Sequence, residues 1–332
     1  MRICARCVLP ETFPNIAFDE TGVCNYCRQY DLRQARLESD RTAMRERFER
    51  LVAESRGKHV YDCVAAWSGG KDSTYTLLLL REQYQLNVLA YTFDNGFVSP
   101  MAFQNMERVS GELGVDHTIF RPRFDLLRTV FRATAQDGGI YPEVALTRAS
   151  AVCNACMGLA KGIALRTALD HAVPMMAFGW SPGQVPLTSA LFHRTPEMAR
   201  TMVEALVEPL RKIVGEAVRP YFPEERHFAQ AEQFPYDVAP LAFLEYDEEH
   251  VRDEIRALGW RAPEDTDPNS SNCLLNTFAN AVHKQQKGFH PYALELAGLV
   301  RQGHLDRQEA LDRLETPENQ DSMDLVKSRL QL

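Results

Sequence analysis

Short apolar runs alternate with longer amphipathic stretches over the middle of the chain. The apolar runs predict four strands, over 62–67, 87–93, 116–120 and 174–179. The amphipathic stretches between and after them predict three helices, over 73–84, 100–113 and 156–171. Strands that alternate with helices usually join through right-handed crossovers, which give a parallel sheet covered on both faces. We therefore predict an α/β fold with a doubly wound parallel sheet, in which ligands bind at the carboxyl ends of the strands.

Helical patterns dominate the chain on both sides of this region. Residues 31–57 place apolar side chains near helical spacing on a charged background, which predicts a connecting helix. Residues 195–226 are predicted to be largely helical, 240–246 to form a short strand or extended piece, and 247–255 to form a helix with an acidic start. From residue 283 to the end the pattern is helical again. We interpret this last segment as a packing or dimerisation tail and expect a homodimer.

Composition and charge narrow the class of protein. The chain has 332 residues, of which 45% are hydrophobic, enough for a well-buried core. No uninterrupted apolar stretch approaches the roughly 18 to 20 residues that span a bilayer, and Cys4 and Cys7 stand where a signal peptide needs an apolar core. We expect a cytoplasmic protein with no membrane partner. The 37 basic and 45 acidic residues give a net charge of −8, which disfavours a main role in gripping a nucleic-acid backbone.

Eight cysteines in such a protein indicate metal ligands or reactive thiols rather than disulfides. Two Cys-x-x-Cys pairs stand near the N-terminus with sixteen residues between them, namely Cys4 with Cys7 and Cys24 with Cys27. This spacing fits a tetrahedral four-thiolate zinc site, and four such ligands leave no open position for a substrate. We predict a structural Zn²⁺ site here. A redox pair or an iron centre would also tolerate four cysteines.

The first predicted strand runs into a turn with two glycines and then into a helix. The turn reads Ser68-Gly69-Gly70-Lys71-Asp72-Ser73. At a strand-to-helix turn several backbone N–H groups point at one place, glycines let the main chain approach oxygen atoms, and a lysine adds positive charge. These features suit a phosphate group, although the glycine spacing is not that of the Walker A loop. The alternative is a glycine-rich turn without a ligand.

The six residues of this turn match the PP-loop, and the chain resembles the PP-loop ATP pyrophosphatases, which have a HUP-like sheet. The resemblance implies that the loop from Ser68 to Ser73 holds the phosphates of ATP with Mg²⁺. It also implies that AMP is transferred to an oxygen of the substrate.

Two further segments follow predicted strands at the same edge of the sheet. Asp94 follows the second strand, so it either faces the nucleotide or the magnesium ion, or it forms a turn with Asn95 and Gly96. Residues 179–184 follow the fourth strand. We expect this segment to shape a substrate pocket, with Trp180 in that pocket, in the core or in a lid.

The other four cysteines fall into one strand position and a group of three. Cys63 lies within the first predicted strand and is interpreted as an inert core thiol. Cys153 and Cys156 stand near one predicted helix start and Cys273 at another, where helix N-termini lower thiol pKa values. The pair alone would also fit a redox couple or half of a zinc knuckle. Three thiolates are one short of a closed site, and a [4Fe–4S] cluster held by three cysteines keeps one iron open for a ligand such as sulfide.

A PP-loop, a Cys-x-x-Cys pair and a later single cysteine together resemble the cluster-dependent sulfurtransferases of the superfamily, including those that thiolate tRNA. In that family ATP adenylates the substrate oxygen, and sulfur held at the cluster displaces the adenylate. The resemblance implies that Lys71 offsets charge on the phosphates, with Asp72 beside it as a further candidate catalytic residue. It implies that Cys153, Cys156 and Cys273 present the sulfur. It also implies a sulfur-donor partner and a tRNA or small-molecule acceptor.

The chain is also similar, over much of its length, to the N-acetyl sugar amidotransferases of surface-polysaccharide synthesis. The matching segments are the PP-loop and residues 2–11, 18–27 and 301–310. Those enzymes adenylate an N-acetyl oxygen and replace it with ammonia delivered by a glutaminase partner. A third interpretation is a nucleotide- or cluster-binding sensor that does not turn over.

We expect ATP-dependent sulfur transfer onto a small or tRNA-borne acceptor, with amidotransfer as the alternative. The expected organisation has four parts. They are a zinc-binding module over 1–30, a linker helix over 31–60, a PP-loop ATP pyrophosphatase domain over 61–275 and a helical C-terminal region over 276–332.

Overall fold

The computed structural model describes residues 2–229 and 234–332. The strands of this part of the chain are β1 (Cys63–Ala66), β2 (Val88–Phe93), β3 (Asp116–Phe120), β4 (Met175–Phe178), β5 (Leu191–His193) and β6 (Tyr236–Val238). They form one sheet in the order β3-β2-β1-β4-β6-β5. Neighbouring strands are parallel except for β5, which runs antiparallel to β6. The predicted α/β fold with a parallel sheet is therefore confirmed, with one antiparallel edge strand added.

The predicted strands and the observed ones agree except near the last of them. β1 to β4 each lie within the apolar run that predicts them. The predicted strand or extended piece over 240–246 is wrong, because Pro240–Ala242 forms a turn of 3-10 helix. Proline lacks the N–H that a ladder needs, and the strand ends just before it, as β6. β6 has no clear apolar pattern because its middle residue is Asp237, which pairs with Arg194.

The helices of the described residues account for most of the remaining chain. In order they are α1 (Asn25–Ser55), α2 (Lys71–Leu78), α3 (Pro100–Leu113), α4 (Phe124–Gln136), α5 (Glu143–Leu146), α6 (Ala151–Asp170), α7 (Pro196–Val214), α8 (Glu225–Phe228), α9 (Glu248–Ala257), α10 (Leu275–Lys287), α11 (Ala293–Gln302), α12 (Arg307–Glu315) and α13 (Gln320–Leu330). α2 continues into a π-helical turn, Leu79–Gln83. The predicted connecting helix corresponds to α1, and the predicted helical C-terminal region to α10 through α13. None of the described helices is long and apolar enough to cross a membrane.

Successive residues of the central strands face opposite cores. In β1, Cys63 and Ala65 pack into one core and Val64 packs into the other. The first core is covered by α1, α2, α3, α9, α11 and α12, and the second by α4, α6, α7, α10 and α13. Because both faces of the central strands are covered, a ligand reaches these strands at their ends, where the loops that follow them converge.

The N-terminal segment packs against the C-terminal helices rather than against the sheet alone. The guanidinium of Arg307, in α12, donates hydrogen bonds to the backbone carbonyls of Cys4 (2.9 Å) and Cys7 (3.1 Å). The ring of Phe13 lies edge-on to that of Phe289, with the centroids 5.0 Å apart. The first thirty residues therefore contact the last fifty directly.

Candidate functional site

The loop between β1 and α2 has the backbone shape that its glycines predict. Gly69 has φ of +75°, and a Cβ atom there would lie 2.9 Å from the carbonyl oxygen of Ala102. A side chain is therefore excluded at this position. The hydroxyls of Ser68 and Ser73 lie 3.0 Å apart, and Ser73 Oγ accepts from the Ser68 N–H (3.2 Å). These bonds close residues 68–73, termed here the 68–73 loop, into a compact turn at the start of α2.

Residues far away in sequence hold this loop in place. Trp260 Nε1 donates to the Gly69 carbonyl (2.9 Å), and the Lys71 N–H donates to Ser271 Oγ (2.9 Å). Gly179, just after β4, lies so close that a Cβ atom there would stand 2.6 Å from the backbone nitrogen of Ser73. The start of α2 is thus enclosed by the segments that follow β4 and precede α10.

The side chain of Lys71 is surrounded by acidic and hydroxyl groups. Its ammonium lies 3.2 Å from the carboxylate of Asp72 and 3.4 Å from that of Glu248. It also donates to the Tyr246 hydroxyl (2.9 Å), which donates in turn to Asp72 (2.9 Å). Burial raises the pKa of Tyr246 far above its ordinary value, so this hydroxyl keeps its proton. The positive charge of Lys71 is therefore balanced within the structure and held beside the loop.

A cavity of about 660 Å³ opens at the carboxyl ends of the central strands. It is bounded by the 68–73 loop, the first half of α6, residues 179–186, residues 269–276 and the start of α11. We term it the central cavity. Its size is typical of small-molecule and cofactor sites. Cys153, Cys156 and Cys273 all line it, together with the 68–73 loop.

The three cavity cysteines come from two distant parts of the chain. Cys153 and Cys156 are three residues apart in α6, so they share one face of the helix. Cys273 is placed by an antiparallel bridge with Val98, in the segment after β2. Asn95 Nδ2 lies 3.4 Å from the sulfur of Cys156 and 3.4 Å from that of Cys273. These two sulfurs are thus no farther apart than twice that distance.

The expectation that helix starts lower the pKa values of these thiols is wrong for the protein without a metal. Burial raises the pKa of Cys153 to about 12 and also raises the pKa values of Cys156 and Cys273. Helix-start N–H groups of Leu275 and Asn276 do oppose this rise at Cys273, but burial is the larger effect. The thiols are therefore neutral until a bound cation or cluster favours the thiolates.

The four N-terminal cysteines have the geometry of a closed metal site. Their sulfurs all lie within 4.8 Å of one another and are fully buried. The sulfurs of Cys4 and Cys27 are 3.9 Å apart, and those of Cys7 and Cys24 are 3.7 Å apart. A tetrahedron with zinc–sulfur bonds of about 2.3 Å has edges of about 3.8 Å, so these residues fit one zinc ion.

The cavity cysteines are spaced differently. Among the described residues, the N-terminal four form the only group of three or more possible ligands whose ligand atoms lie within 4.8 Å of one another. At least one pair among the sulfurs of Cys153, Cys156 and Cys273 is therefore more than 4.8 Å apart, which is too far for ligands of a single ion. A polynuclear cluster binds each cysteine through a different iron and needs such a spread. The donor set fits a three-cysteine iron–sulfur cluster better than mononuclear zinc.

Asp94 lies outside the central cavity. Its carboxylate pairs with Arg121 (2.5 Å) and accepts from the Gly96 N–H (2.8 Å), which is the turn arrangement considered from the sequence. The contact between Asp94 and the nucleotide or magnesium ion stays a prediction. The segment after β4 does line the cavity, including Gly179, Trp180 and Gln184.

The sequence pattern does not mark several residues of the cavity as functional. Asn95 stands in a segment whose pattern predicts only a turn. Asn276, one turn beyond Cys273, donates to the Tyr292 hydroxyl (3.2 Å) and lies 3.9 Å from the Cys153 sulfur. Glu295 comes from α11, within the segment interpreted as a packing tail, and burial raises its pKa to about 7. No local sequence pattern distinguishes Glu295 from a surface helix position.

Comparisons with known proteins give limited likenesses. No protein-family model matches the chain. An uncharacterized protein of Methanocaldococcus jannaschii is 25% identical over 259 residues, which cover 77% of this chain and 73% of that protein. The solved structure of the U34-tRNA thiolase NcsA from Methanococcus maripaludis with its [4Fe–4S] cluster aligns with a TM-score of 0.37 and 16% identity, over 95% of this chain and 90% of that one. Likenesses this weak leave the function to be argued from the residues of the central cavity.

Proposed function

We propose that this protein is an ATP-dependent sulfurtransferase that activates a substrate oxygen by adenylation and replaces it with sulfur. The observation that carries the proposal is the meeting of Cys153, Cys156 and Cys273 in one cavity with the 68–73 loop. Cysteines that serve only in core packing would have no reason to line the same cavity as the 68–73 loop. Placed there, thiols and a phosphate-binding turn are within reach of a single substrate.

The first half of the reaction uses the 68–73 loop. The backbone N–H groups at the start of α2 and the hydroxyls of Ser68 and Ser73 would hold the phosphates of ATP, and Lys71 and Mg²⁺ would offset their charge. Asp72 would orient Lys71. The substrate oxygen attacks the α-phosphorus, a new P–O bond forms, and the bond to the bridging oxygen breaks. Pyrophosphate leaves with that electron pair.

The second half uses the cysteine side of the cavity. A [4Fe–4S] cluster bound by three cysteines supplies an iron that is open to sulfide. Cys153, Cys156 and Cys273 would hold the cluster, and Asn95 would donate hydrogen bonds to two of their sulfurs. At the activated substrate a C–S bond forms and the C–O bond breaks, so that AMP leaves with the electron pair. A phosphorylated oxygen is a far better leaving group than a free carbonyl oxygen.

Amidotransfer is the second candidate function. The observations that favour it are the net charge of −8 and the small-molecule size of the cavity, which suit a sugar better than an RNA. Adenylation would be the same, and ammonia from a glutaminase partner would take the place of sulfide. The three cysteines would then need another explanation.

The test is nucleotide turnover with each nucleophile. Anaerobically reconstituted protein should convert ATP to AMP and pyrophosphate in the presence of sulfide and acceptor candidates, and Lys71→Ala should lower that rate by at least about a hundredfold, because it removes charge stabilisation from the phosphates. Lys212→Ala, an exposed lysine on α7, is the matched control and should turn over normally.

The outcomes separate the candidates. Turnover with ammonia but not with sulfide would replace sulfur transfer by amidotransfer. Normal pyrophosphate release by Lys71→Ala would contradict the role of the 68–73 loop. Binding of nucleotide without any turnover would favour a sensor.

A further inference from the structure

Two cations in the wall of the central cavity have no role in the reaction as described so far. Lys161 lies on α6 eight residues after Cys153, and both residues line the cavity. Its ammonium is 5.2 Å from the ring centroid of Trp180, in the segment after β4. Arg148 precedes α6 at the cavity rim and donates to the Gln184 carbonyl (3.0 Å).

Neither cation has a carboxylate at ion-pair distance among residues 2–229 and 234–332. The acidic group that acts on Lys161 is Asp237, and Asp237 is already bound by Arg194 through two hydrogen bonds (2.8 and 2.5 Å). Burial lowers the pKa of Lys161, whereas the side chain of Arg148 is exposed at the cavity rim. A cation that is withdrawn from water without a partner costs free energy. An anionic ligand would recover that free energy.

Lys71 offers a useful contrast in the same cavity. Its charge is balanced by Asp72 and Glu248, whereas Lys161 lies against the Trp180 ring and the nearby Asp237 is already paired with Arg194. The cavity therefore has one cation whose charge is compensated, at the 68–73 loop, and a second cationic region that is uncompensated, at α6. A nucleotide bound at the loop would leave the second region available.

We propose that Lys161 and Arg148 form an acceptor subsite that binds the carboxylate or phosphate group of a small-molecule substrate. This inference rests on the proposed function for the identity of the other ligand, ATP. Trp180 would cover the bound group and limit its access to water. A small acceptor fits the size of the cavity and the net charge of −8 better than an RNA does.

Inorganic phosphate is the probe for this subsite. It is titrated at constant ionic strength into the full-length protein saturated with a non-hydrolysable ATP analogue, so that the 68–73 loop is already occupied. Because Trp180 is next to Lys161, its fluorescence reports binding. Lys161→Met should weaken phosphate binding by about tenfold or more, Lys161→Arg should restore most of it, and the exposed Lys212→Met should bind as the wild type does.

Three results would overturn the inference. Equal phosphate binding by Lys161→Met and wild type would mean that Lys161 does not bind the anion. Loss of all phosphate binding on adding the ATP analogue would mean that the nucleotide itself covers these cations. Displacement of phosphate by a short RNA at much lower concentration would make the acceptor an RNA.

These readouts need neither a cluster nor turnover. Phosphate binding that depends on Lys161 in a protein without sulfide-dependent turnover would uphold the subsite and reject the reaction. Normal sulfide-dependent turnover by Lys161→Met would uphold the reaction and reject the subsite. Circular dichroism of each variant establishes that it is folded.

Discussion

Asn95 connects two thiols that the sequence keeps far apart. Its amide oxygen accepts from the Phe97 N–H (2.8 Å), which fixes the orientation of the amide and turns the NH₂ group toward the sulfurs of Cys156 and Cys273. The side chain is 5% exposed, so water does not compete for these bonds. Hydrogen bonds to sulfur favour the thiolate and help to set cluster potentials. Asn95 thus positions the proposed ligands before anything binds them.

Glu295 is the residue whose ionisation should be visible in stability. Burial raises its pKa from an ordinary value of 4.5 to about 7, and the charge of Asp72 adds to this effect, while a hydrogen bond from the Ser181 hydroxyl (2.9 Å) opposes it. Between about pH 4.5 and 7, the Glu295 carboxyl therefore keeps its proton in the folded protein but has lost it in the unfolded chain.

We predict that Glu295→Gln changes the pH dependence of unfolding. In the wild type the raised pKa makes the free energy of unfolding fall as pH rises through that window, because the unfolded state binds fewer protons there. Glu295→Gln lacks this component. The free energy of unfolding of the variant, relative to that of the wild type, should therefore rise by about 1 kcal/mol or more between pH 5 and pH 8. Urea unfolding at both pH values measures this. Parallel pH profiles for the two proteins would contradict the burial of an ionisable carboxyl here.

At the scale of elements, the site depends on the close approach of β4 to the start of α2. Gly179 leaves no room for a Cβ atom against Ser73, so the chain after β4 presses on the 68–73 loop. This contact places residues 179–186 over the cavity. It also ties the shape of the loop to the end of the neighbouring strand.

We predict that Gly179→Ala disturbs the nucleotide site. The new methyl group must push the start of α2 away, which costs about 1 to 3 kcal/mol of stability and should raise the KM for ATP more than it lowers kcat. Thermal unfolding and steady-state kinetics measure the two effects. Gly111→Ala is the matched control, because Gly111 is exposed in α3 with open space around it and alanine should stabilise that helix slightly. Equal behaviour of both variants would show that the close contact is not needed.

The elements that could be predicted from sequence are those with a strong local pattern. β1, β2 and β4 are largely apolar runs, and α3 has a Ser99 cap, a first-turn proline and a terminal Gly114. β5 and β6 are only three residues long, and Asp237 interrupts the pattern of β6 with a charge that a distant arginine compensates. The roles of Asn95 and Glu295 depend on contacts across the fold, which no local spacing encodes. The raised thiol pKa values likewise come from burial, which the helix starts alone did not reveal.

At the scale of the whole molecule, the N-terminal module and the central cavity share the C-terminal helices. Arg307 of α12 holds the carbonyls of Cys4 and Cys7, while the neighbouring α11 contributes Glu295 to the cavity wall. The segment with the four N-terminal cysteines, far from the cavity in sequence order, is thus held by the helix that follows α11. We regard the module as a structural support for the site.

We predict that Arg307→Met loosens the module without emptying the cavity. Loss of two charged hydrogen bonds to buried carbonyls should lower the melting temperature and speed proteolysis near the N-terminus, and removal of the proposed zinc by a chelator should act in the same direction. Iron bound by the cavity cysteines should stay unchanged. Arg219→Met, at an exposed arginine, is the control. Unaltered proteolysis in Arg307→Met would mean that the module holds itself in place.

Iron and sulfide analysis after anaerobic reconstitution tests the central claim most directly. The comparison is between the wild type, Cys273→Ser and Cys63→Ala, the last being a buried thiol of β1 outside the cavity. Wild type and Cys63→Ala should each hold about four irons and matching sulfide, and Cys273→Ser should lose them. Iron that persists in Cys273→Ser, or that disappears only when one of the four N-terminal cysteines is replaced, would contradict a cluster held by Cys153, Cys156 and Cys273.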